Sequence, residues 1–421
     1  MTAVTPNADR KPAAAWANRD FRRLWLGSTA SWFGSEIAEL ALPLLAIITL
    51  SASAAEVGLL RTFQFLPFLL AALPLGVLVD RRTRRPLMIG ADLGRFLLIG
   101  TIPLAIWAGV DQMGFLYAVV FAAGILTVLY QLADFAFVPS VVPREQLIDA
   151  NGKLAASQSA NEIAGKGVGG VIVQAVTAPV AVLVNAVGYL VSAISLSSIS
   201  AREAAVEPGP ERRSPWREAA EGLGMVLRNR YVRPLLGEAT TFNFFNEIFV
   251  LGLLLFAVRE LDLGPAQVGL VFTAGGVGSF LGAWFGARAT HRFGYGRVLL
   301  ITLILGNTAP AAVVLVTRDN ALAVLASAFF VMGVGIGIAN VHAVSLRQTA
   351  VPDDLRGRVN AAYRLISWGA IPLGAALGGL LAADLGGRVA MLIGAFGMPF
   401  ATVRVAASAV RSLPTIHDAR M

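Results

Sequence analysis

Phe33-Gly-Ser-Glu36-Ile37-Ala-Glu39-Leu40-Ala-Leu42-Pro-Leu44 returns 211 residues later as Phe244-Phe-Asn-Glu247-Ile248-Phe-Val-Leu251-Gly-Leu253-Leu-Leu255. The same offset carries Asn18-Arg19 and Arg22 onto Asn229-Arg230 and Arg233. It also carries Val57-Gly58-Leu59 with Thr62 onto Val268-Gly269-Leu270 with Thr273. A neighbouring offset of 209 relates Val142-Pro143, Asn151 and Gly169-Gly170 to Val351-Pro352, Asn360 and Gly378-Gly379. Composition alone does not produce a fixed offset over such distances. The chain is a duplication with a carboxylate at the same place in an apolar stretch of each copy. Duplicated halves with ionisable groups near the bilayer midplane are the plan of a secondary transporter.

Composition sets the class. With 56% hydrophobic and 14% charged residues and a mean hydropathy of +0.69, 421 residues could not stay in solution as a globular domain. Forty-three glycines and twenty prolines suit packed membrane helices, in which small residues let backbones approach. The absence of cysteine excludes disulfides and cysteine-held metal. Three lysines against 31 arginines suggest a GC-rich bacterial genome.

About twelve segments can each supply the ~20 residues that a bilayer crossing needs. They lie near 24–50, 57–79, 87–109, 114–138, 154–176, 179–200, 235–258, 267–289, 298–317, 320–347, 362–384 and 387–411. The expected organisation is a tail (1–23), a six-helix bundle (24–200), a central loop (201–234), a second bundle (235–411) and a tail (412–421). Within the loop, Trp216 to Leu227 can form an amphipathic surface helix. If the chain starts inside, the cytoplasmic connections hold nearly all the arginines, including Arg81, Arg82, Arg84, Arg85, Arg144, Arg202, Arg212, Arg213, Arg356 and Arg358. The opposite connections hold Arg259, Arg318 and Arg388. The positive-inside rule therefore places both termini in the cytoplasm. It also accounts for the net charge of +8 without a nucleic-acid partner. The first span, long and holding Glu36 and Glu39, does not read as a cleaved signal peptide.

The connection after the second span reads Gly76-Val-Leu-Val-Asp80-Arg81-Arg82-Thr-Arg84-Arg85. It resembles the cytoplasmic signature loop of the major facilitator superfamily. The second half keeps a worn version, Gly286-Ala-Arg288-Ala-Thr290-His291-Arg292, with Thr290 where the aspartate would stand. Val351-Pro-Asp-Asp-Leu-Arg356-Gly357-Arg358-Val359-Asn360, followed by Pro372-Leu-Gly374 and Gly378-Gly379, resembles the drug:proton antiporter branch that includes macrolide and enterobactin exporters. The resemblance implies an all-α membrane fold of twelve transmembrane helices in two pseudo-symmetric six-helix halves. It implies a cytoplasmic latch in which Gly76 permits close helix approach and Asp80 sits at a helix N-terminus of the other half. Arg81, Arg84 and Arg85 would face acids at neighbouring helix ends, with Asp92 and Asp134 as candidates. Arg82 reads equally well as a loop anchor.

Depth singles out other charges. At 1.5 Å per residue, Glu36, Glu39, Lys166 and Glu247 fall roughly 18–22 Å along their helices, near the bilayer middle. A lipid-facing charge there costs on the order of 2.5–3.5 kcal/mol or more, so these groups should face a cavity or each other. Carboxylates so placed can take and release a proton, as a proton-coupled carrier requires. Glu36 and Glu39 are three apart on one face. The superfamily resemblance puts the first and seventh helices on the central cavity, so Glu36 and Glu247 should face each other. Asn243 and Asn246 flank Glu247, and a Glu247–Asn243 hydrogen bond is the plainer alternative. Phe242, Phe244, Phe245 and Phe249 could supply an apolar wall.

Asn161-Glu162-Ile-Ala-Gly165-Lys166-Gly167-Val-Gly169-Gly170 places Glu162 one turn before Lys166. Exporters of the superfamily carry a glycine-rich stretch with Gly-Pro here, and Lys166 replaces the proline. Either Lys166 and Glu162 neutralise each other or Lys166 meets an anionic group of the cargo. Asn340 and His342 are further polar candidates in the tenth span.

No phosphate-binding loop, nucleophile elbow or metal-ligand cluster is present, so an enzyme or ATP-driven pump is not expected, and no cofactor. The expectation is a monomeric bacterial inner-membrane protein that exports small amphipathic molecules, such as an antibiotic, drug or siderophore, using protons. Its partners are the cargo, protons and the bilayer. A proton-coupled importer of a metabolite and a transport-inactive sensor are the alternatives.

Overall fold

A computed structural model describes residues 15–201, 203, 215–352 and 355–419. Most of the N-terminal tail, Arg202, Arg212, Arg213 and the Asp-Asp pair at 353–354 lie outside the described residues.

Among the described residues the chain is helical throughout, without a strand. The first half comprises α1 (Arg19–Leu44), α2 (Ala54–Leu70), α3 (Ala72–Arg81), α4 (Arg84–Trp107), α5 (Met113–Val141), α6 (Leu147–Ala175) and α7 (Ala178–Ser197). A surface helix, α8 (Pro215–Arg228), falls where the amphipathic segment was expected. The second half comprises α9 (Val232–Arg259), α10 (Pro265–Phe293), α11 (Tyr295–Thr308), α12 (Ala321–Ala350), α13 (Arg356–Leu385), α14 (Gly387–Gly397) and α15 (Pro399–Ala406). Among the described residues ten helical segments are long and apolar enough to cross a membrane, and the α2–α3 pair, bent by 50°, makes an eleventh. The twelfth crossing is α6, about 43 Å of helix by its 29 residues, and its polar content alone sets it apart. It is shielded by α1 on one side and α10 on the other.

The duplication extends to individual hydrogen bonds. The Asn18 side chain accepts from the Asp20 and Phe21 amides to cap α1, and donates to the Val141 carbonyl at 2.8 Å. Asn229 accepts from the amides of Tyr231 and Val232, and donates to the Ala350 carbonyl at 2.9 Å. Each asparagine thus ties the start of one helix to the end of another, satisfying backbone groups that no helix satisfies itself. The turn after the first crossing of each half repeats as well. Among the described residues Ser51 and Asp262 are the two non-glycine residues of positive φ, at 51° and 55°. One departure is the bend between α2 and α3. Pro74 has no N–H to offer the Leu70 carbonyl, whereas α10 has Phe285 at the equivalent place and runs unbroken.

Several helices begin earlier or end later than the apolar runs. α6 starts at Leu147 rather than 154, and the final span is broken at Met398–Pro399. Caps and prolines end a helix, whereas hydropathy marks only the part in lipid.

The halves meet along two symmetry-related seams, α2 on α13 and α6 on α10. At both, glycine meets glycine. A Cβ on Gly58 would stand 2.6 Å from the Gly379 Cα, and one on Gly170 would stand 3.1 Å from the Gly269 Cα and 2.4 Å from the Pro265 carbonyl oxygen. These pairs are the two repeated glycine motifs, joined crosswise at the end of the bundle away from the termini. Arg259 donates to the Ala52 carbonyl there, and the Ala266 amide donates to Gln174 at 3.0 Å. That end is closed.

Candidate functional site

Beneath the seams lies a cavity of about 780 Å³, continuous in its lining with a second chamber of about 390 Å³. The larger chamber reaches Val138, Pro139 and Leu147, where α5 ends and α6 begins, so it opens toward the end that carries the termini. Glu36, Glu39, Glu162, Phe65 and Trp368 line both chambers; Lys166, Asn243, Asn246 and Glu247 line the smaller.

The charges form a chain across the two halves. Arg61 on α2 grips Glu247 on α9 with both arms, Nε to Oε1 at 2.7 Å and Nη2 to Oε2 at 3.2 Å. Arg61 is 5% exposed and Glu247 4%, so this pair is cut off from water. The same Nη2 stands 3.9 Å from Glu39. Lys166 Nζ faces Glu36 at 3.2 Å and Glu39 at 3.5 Å. Glu39 is thereby shared between a lysine of α6 and an arginine of α2. The Arg61 guanidinium lies 4.8 Å from the Phe65 ring centroid, and the Lys166 ammonium 6.0 Å from that of Phe272. Opposite charges at such distances with few competing waters interact strongly, and removing one partner strands the other.

Several expectations need correcting. Lys166 turns to the two carboxylates of α1, not to Glu162, because α6 packs directly on α1. Glu162 forms no ion pair or hydrogen bond among the described residues. Asn243 donates to the Ser367 carbonyl at 2.7 Å, fastening α9 to α13, so it does not partner Glu247. Glu36 and Glu247 both line the smaller chamber, linked through Lys166, Glu39 and Arg61. None of Phe242, Phe244, Phe245 and Phe249 lines either chamber, and Phe249 is buried against Phe329 at 5.7 Å. The aromatic wall comes from Trp32, Phe65, Phe68, Phe272 and Trp368. His342 joins α12 to α10 through Thr290, 2.5 Å from its Nε2, and packs on Tyr295.

The signature loop is anchored within its own half. Glu203 accepts from the amides of Arg84 (2.7 Å) and Arg85 (2.6 Å), a carboxylate capping the positive end of α4. Arg85 donates to the Leu196 and Ser197 carbonyls at the end of α7. Arg84 and Arg85 therefore do not meet Asp92 or Asp134. Asp92, fully buried, pairs with Arg95, whose guanidinium lies between Tyr130 and Tyr189 at 4.4 and 4.2 Å from their ring centroids. Asp134 lines the larger chamber, and its Oδ1 has no hydrogen-bond partner. Asp80 and Arg81 are exposed in the last turn of α3. A Cβ on Gly76 would meet nothing within 4 Å. With the termini end open, nothing among the described residues lies within packing distance of that position.

The description Major Facilitator Superfamily belongs to the family model that this sequence matches over residues 24–371 and 239–418. The transporter YfiS of Bacillus subtilis is 26% identical, covering 88% of both chains. Macrolide efflux protein A of Streptococcus pyogenes is 24% identical over 87% of this chain and 90% of its own. The multidrug efflux pump Tap of Mycolicibacterium fortuitum is 26% identical over 83% and 86%. Among solved structures, a bacterial homologue of the iron transporter ferroportin in its inward-facing state superposes with a TM-score of 0.72 (17% identity; 92% of this chain, 98% of the other). The nucleoside transporter NupG gives 0.71 (12% identity; 92% and 98%).

Proposed function

The chain belongs to the major facilitator superfamily and is a membrane transporter, and from that premise we propose that it exports small amphipathic molecules from a bacterial cell in exchange for protons. The observation that carries this reading is the buried Arg61–Glu247 pair joining the halves at the top of an open, carboxylate-rich cavity. The arginine-rich connections put the termini, and hence the open end, in the cytoplasm. Cargo then enters from inside and lodges against the aromatic wall.

Opening the far end requires α2 to part from α9 and α13, so Arg61 must leave Glu247. Breaking a buried pair without replacement costs about 3–5 kcal/mol. When bound cargo parts the halves, Glu39, 3.9 Å away, receives the guanidinium that leaves Glu247. Glu39 is released from Lys166 in turn, which closes on Glu36. In the far-end-open state Glu247, left without Arg61, takes a proton from outside. When the halves rock back about the midplane, Arg61 reclaims the carboxylate and the proton leaves to the cytoplasm, so cargo and proton travel in opposite directions. The names of the macrolide and multidrug efflux relatives support export and an amphipathic cargo.

The test is accumulation of a dye, macrolide and siderophore panel in an efflux-deficient bacterium. The intact protein should lower accumulation of at least one compound, and an uncoupler, Glu36→Gln or Glu247→Gln should abolish this at equal expression. Raised accumulation would replace export with import.

A further inference from the structure

We propose that the cavity selects singly charged cationic amphipaths, and that Glu162 is the residue that selects them. The argument begins with charge. Glu36, Glu39, Glu162 and Glu247 surround Arg61 and Lys166 in the two chambers. Beside them, Asp92 and Asp134 are matched by Arg95 and by Arg364, which reaches Gln131 at 2.9 Å, one turn from Asp134. With every group ionised the cavity is two positive charges short. A charge deficit behind low-dielectric walls attracts cations and repels anions. Under the exchange reading above, proton and cargo occupy the cavity in turn, and a monocation is the cargo that takes the place of one proton, charge for charge.

Position identifies which carboxylate meets the cargo. Glu36, Glu39 and Glu247 each lie within 4 Å of a built-in cation, at 3.2, 3.5 and 2.7 Å. Glu162 forms no ion pair among the described residues, feels Lys166 one turn along α6 only at longer range, and is exposed. It lines both chambers, where an incoming molecule from the termini end first reaches the charged layer. Phe65 and Trp368 line the same junction, and Phe68 lies 5.3 Å from Trp368 between ring centroids. Trp368 already takes a guanidinium against its face, that of Arg364 at 4.1 Å. Such rings accept the diffuse charge of a quaternary or tertiary ammonium, while the carboxylate supplies the counter-charge. An anionic cargo would need Lys166 free, and Lys166 is held by two acids.

The experiment is direct binding to the purified full-length protein of tetraphenylphosphonium and tetraphenylborate, ions of matched size and opposite charge. The intact protein should bind the cation and discriminate against the anion. Glu162→Gln should weaken cation binding by about tenfold, the scale of one lost charge-assisted contact, and narrow the discrimination. Glu162→Asp should keep most of the preference. Glu162 forms no ion pair or hydrogen bond among the described residues, so both variants should unfold close to the temperature of the parent. Equal affinity for the two ions, binding of neither, or an unchanged preference in Glu162→Gln would overturn the proposal. Binding is read without transport, so a failed or reversed efflux phenotype sinks the export reading and leaves this result standing.

Discussion

The two halves share a backbone but not a chemistry. Cap asparagines, positive-φ turn residues and seam glycines recur at the same places, Asn18 with Asn229, Ser51 with Asp262, Gly58 with Gly269. Of the midplane charges only Glu36 has a charged counterpart, Glu247. Glu39 corresponds to Val250, Arg61 to Phe272, Glu162 to Ile371 and Lys166 to Ala375. Backbone packing constrains each half equally, because each must satisfy its helix ends and fit its neighbour. Ion pairs are under no such symmetry. Near the midplane the first half holds the other charges and the second contributes one carboxylate, which bonds the halves together when it is ionised and paired with Arg61.

The largest expected effect comes from breaking that single bond. Arg61→Leu strands the buried Glu247 carboxylate and should lower stability in detergent by about 3–5 kcal/mol while abolishing transport. Arg61→Leu with Glu247→Leu removes both charges, so thermal stability should return while transport stays lost. Stability that stays low in the double variant would mean that Arg61 matters for packing rather than charge.

A transplant asks whether the asymmetry is essential. Arg61→Phe combined with Phe272→Arg moves the cation to the equivalent place in the other half. There it meets Lys166, now about 6 Å from the Phe272 ring. Two like charges at that distance repel by about 3 kcal/mol at an effective dielectric constant of 20. Proteoliposome uptake should therefore show no transport by the transplanted protein. Restored activity would show that the halves are interchangeable in charge as well as in backbone.

Much of this was legible in the sequence, and what was not has physical reasons. Glu36, Glu39, Glu162, Lys166, Asn243, Asn246 and Glu247 all line the chambers, because a polar residue deep in an apolar helix has nowhere else to go. Arg61 escaped because it lies two turns from the start of α2, where a cation reads as snorkelling to the interface. Only the fold shows that α9 delivers a carboxylate to it. Glu203 sits in a proline- and glycine-rich connection whose path no periodicity reveals. The Asp92–Arg95 pair is an i,i+3 contact that spacing permits, but the Tyr130 and Tyr189 rings enclosing it come from α5 and α7. The open surroundings of Gly76 belong to one conformation, and a sequence describes all conformations at once.

The seams give the smallest effect on activity and the sharpest test of symmetry. Gly58→Ala presses a methyl group onto the Gly379 backbone, and Gly170→Ala presses one onto the Pro265 carbonyl and Gly269. Both strain only the closed far end, since that is where the glycines touch. Each should therefore shift the population toward the far-end-open state without unfolding either half. Gly76→Ala, with nothing near it, should leave the population unchanged in this state. The chain has no cysteine, so one introduced at Asn246 reports access from either face without further engineering. Labelling from outside by a membrane-impermeant maleimide should rise several-fold in Gly58→Ala and in Gly170→Ala, by similar factors. If only one responds, the seams are not equivalent, and the asymmetry of the charges extends to the packing that closes the far end.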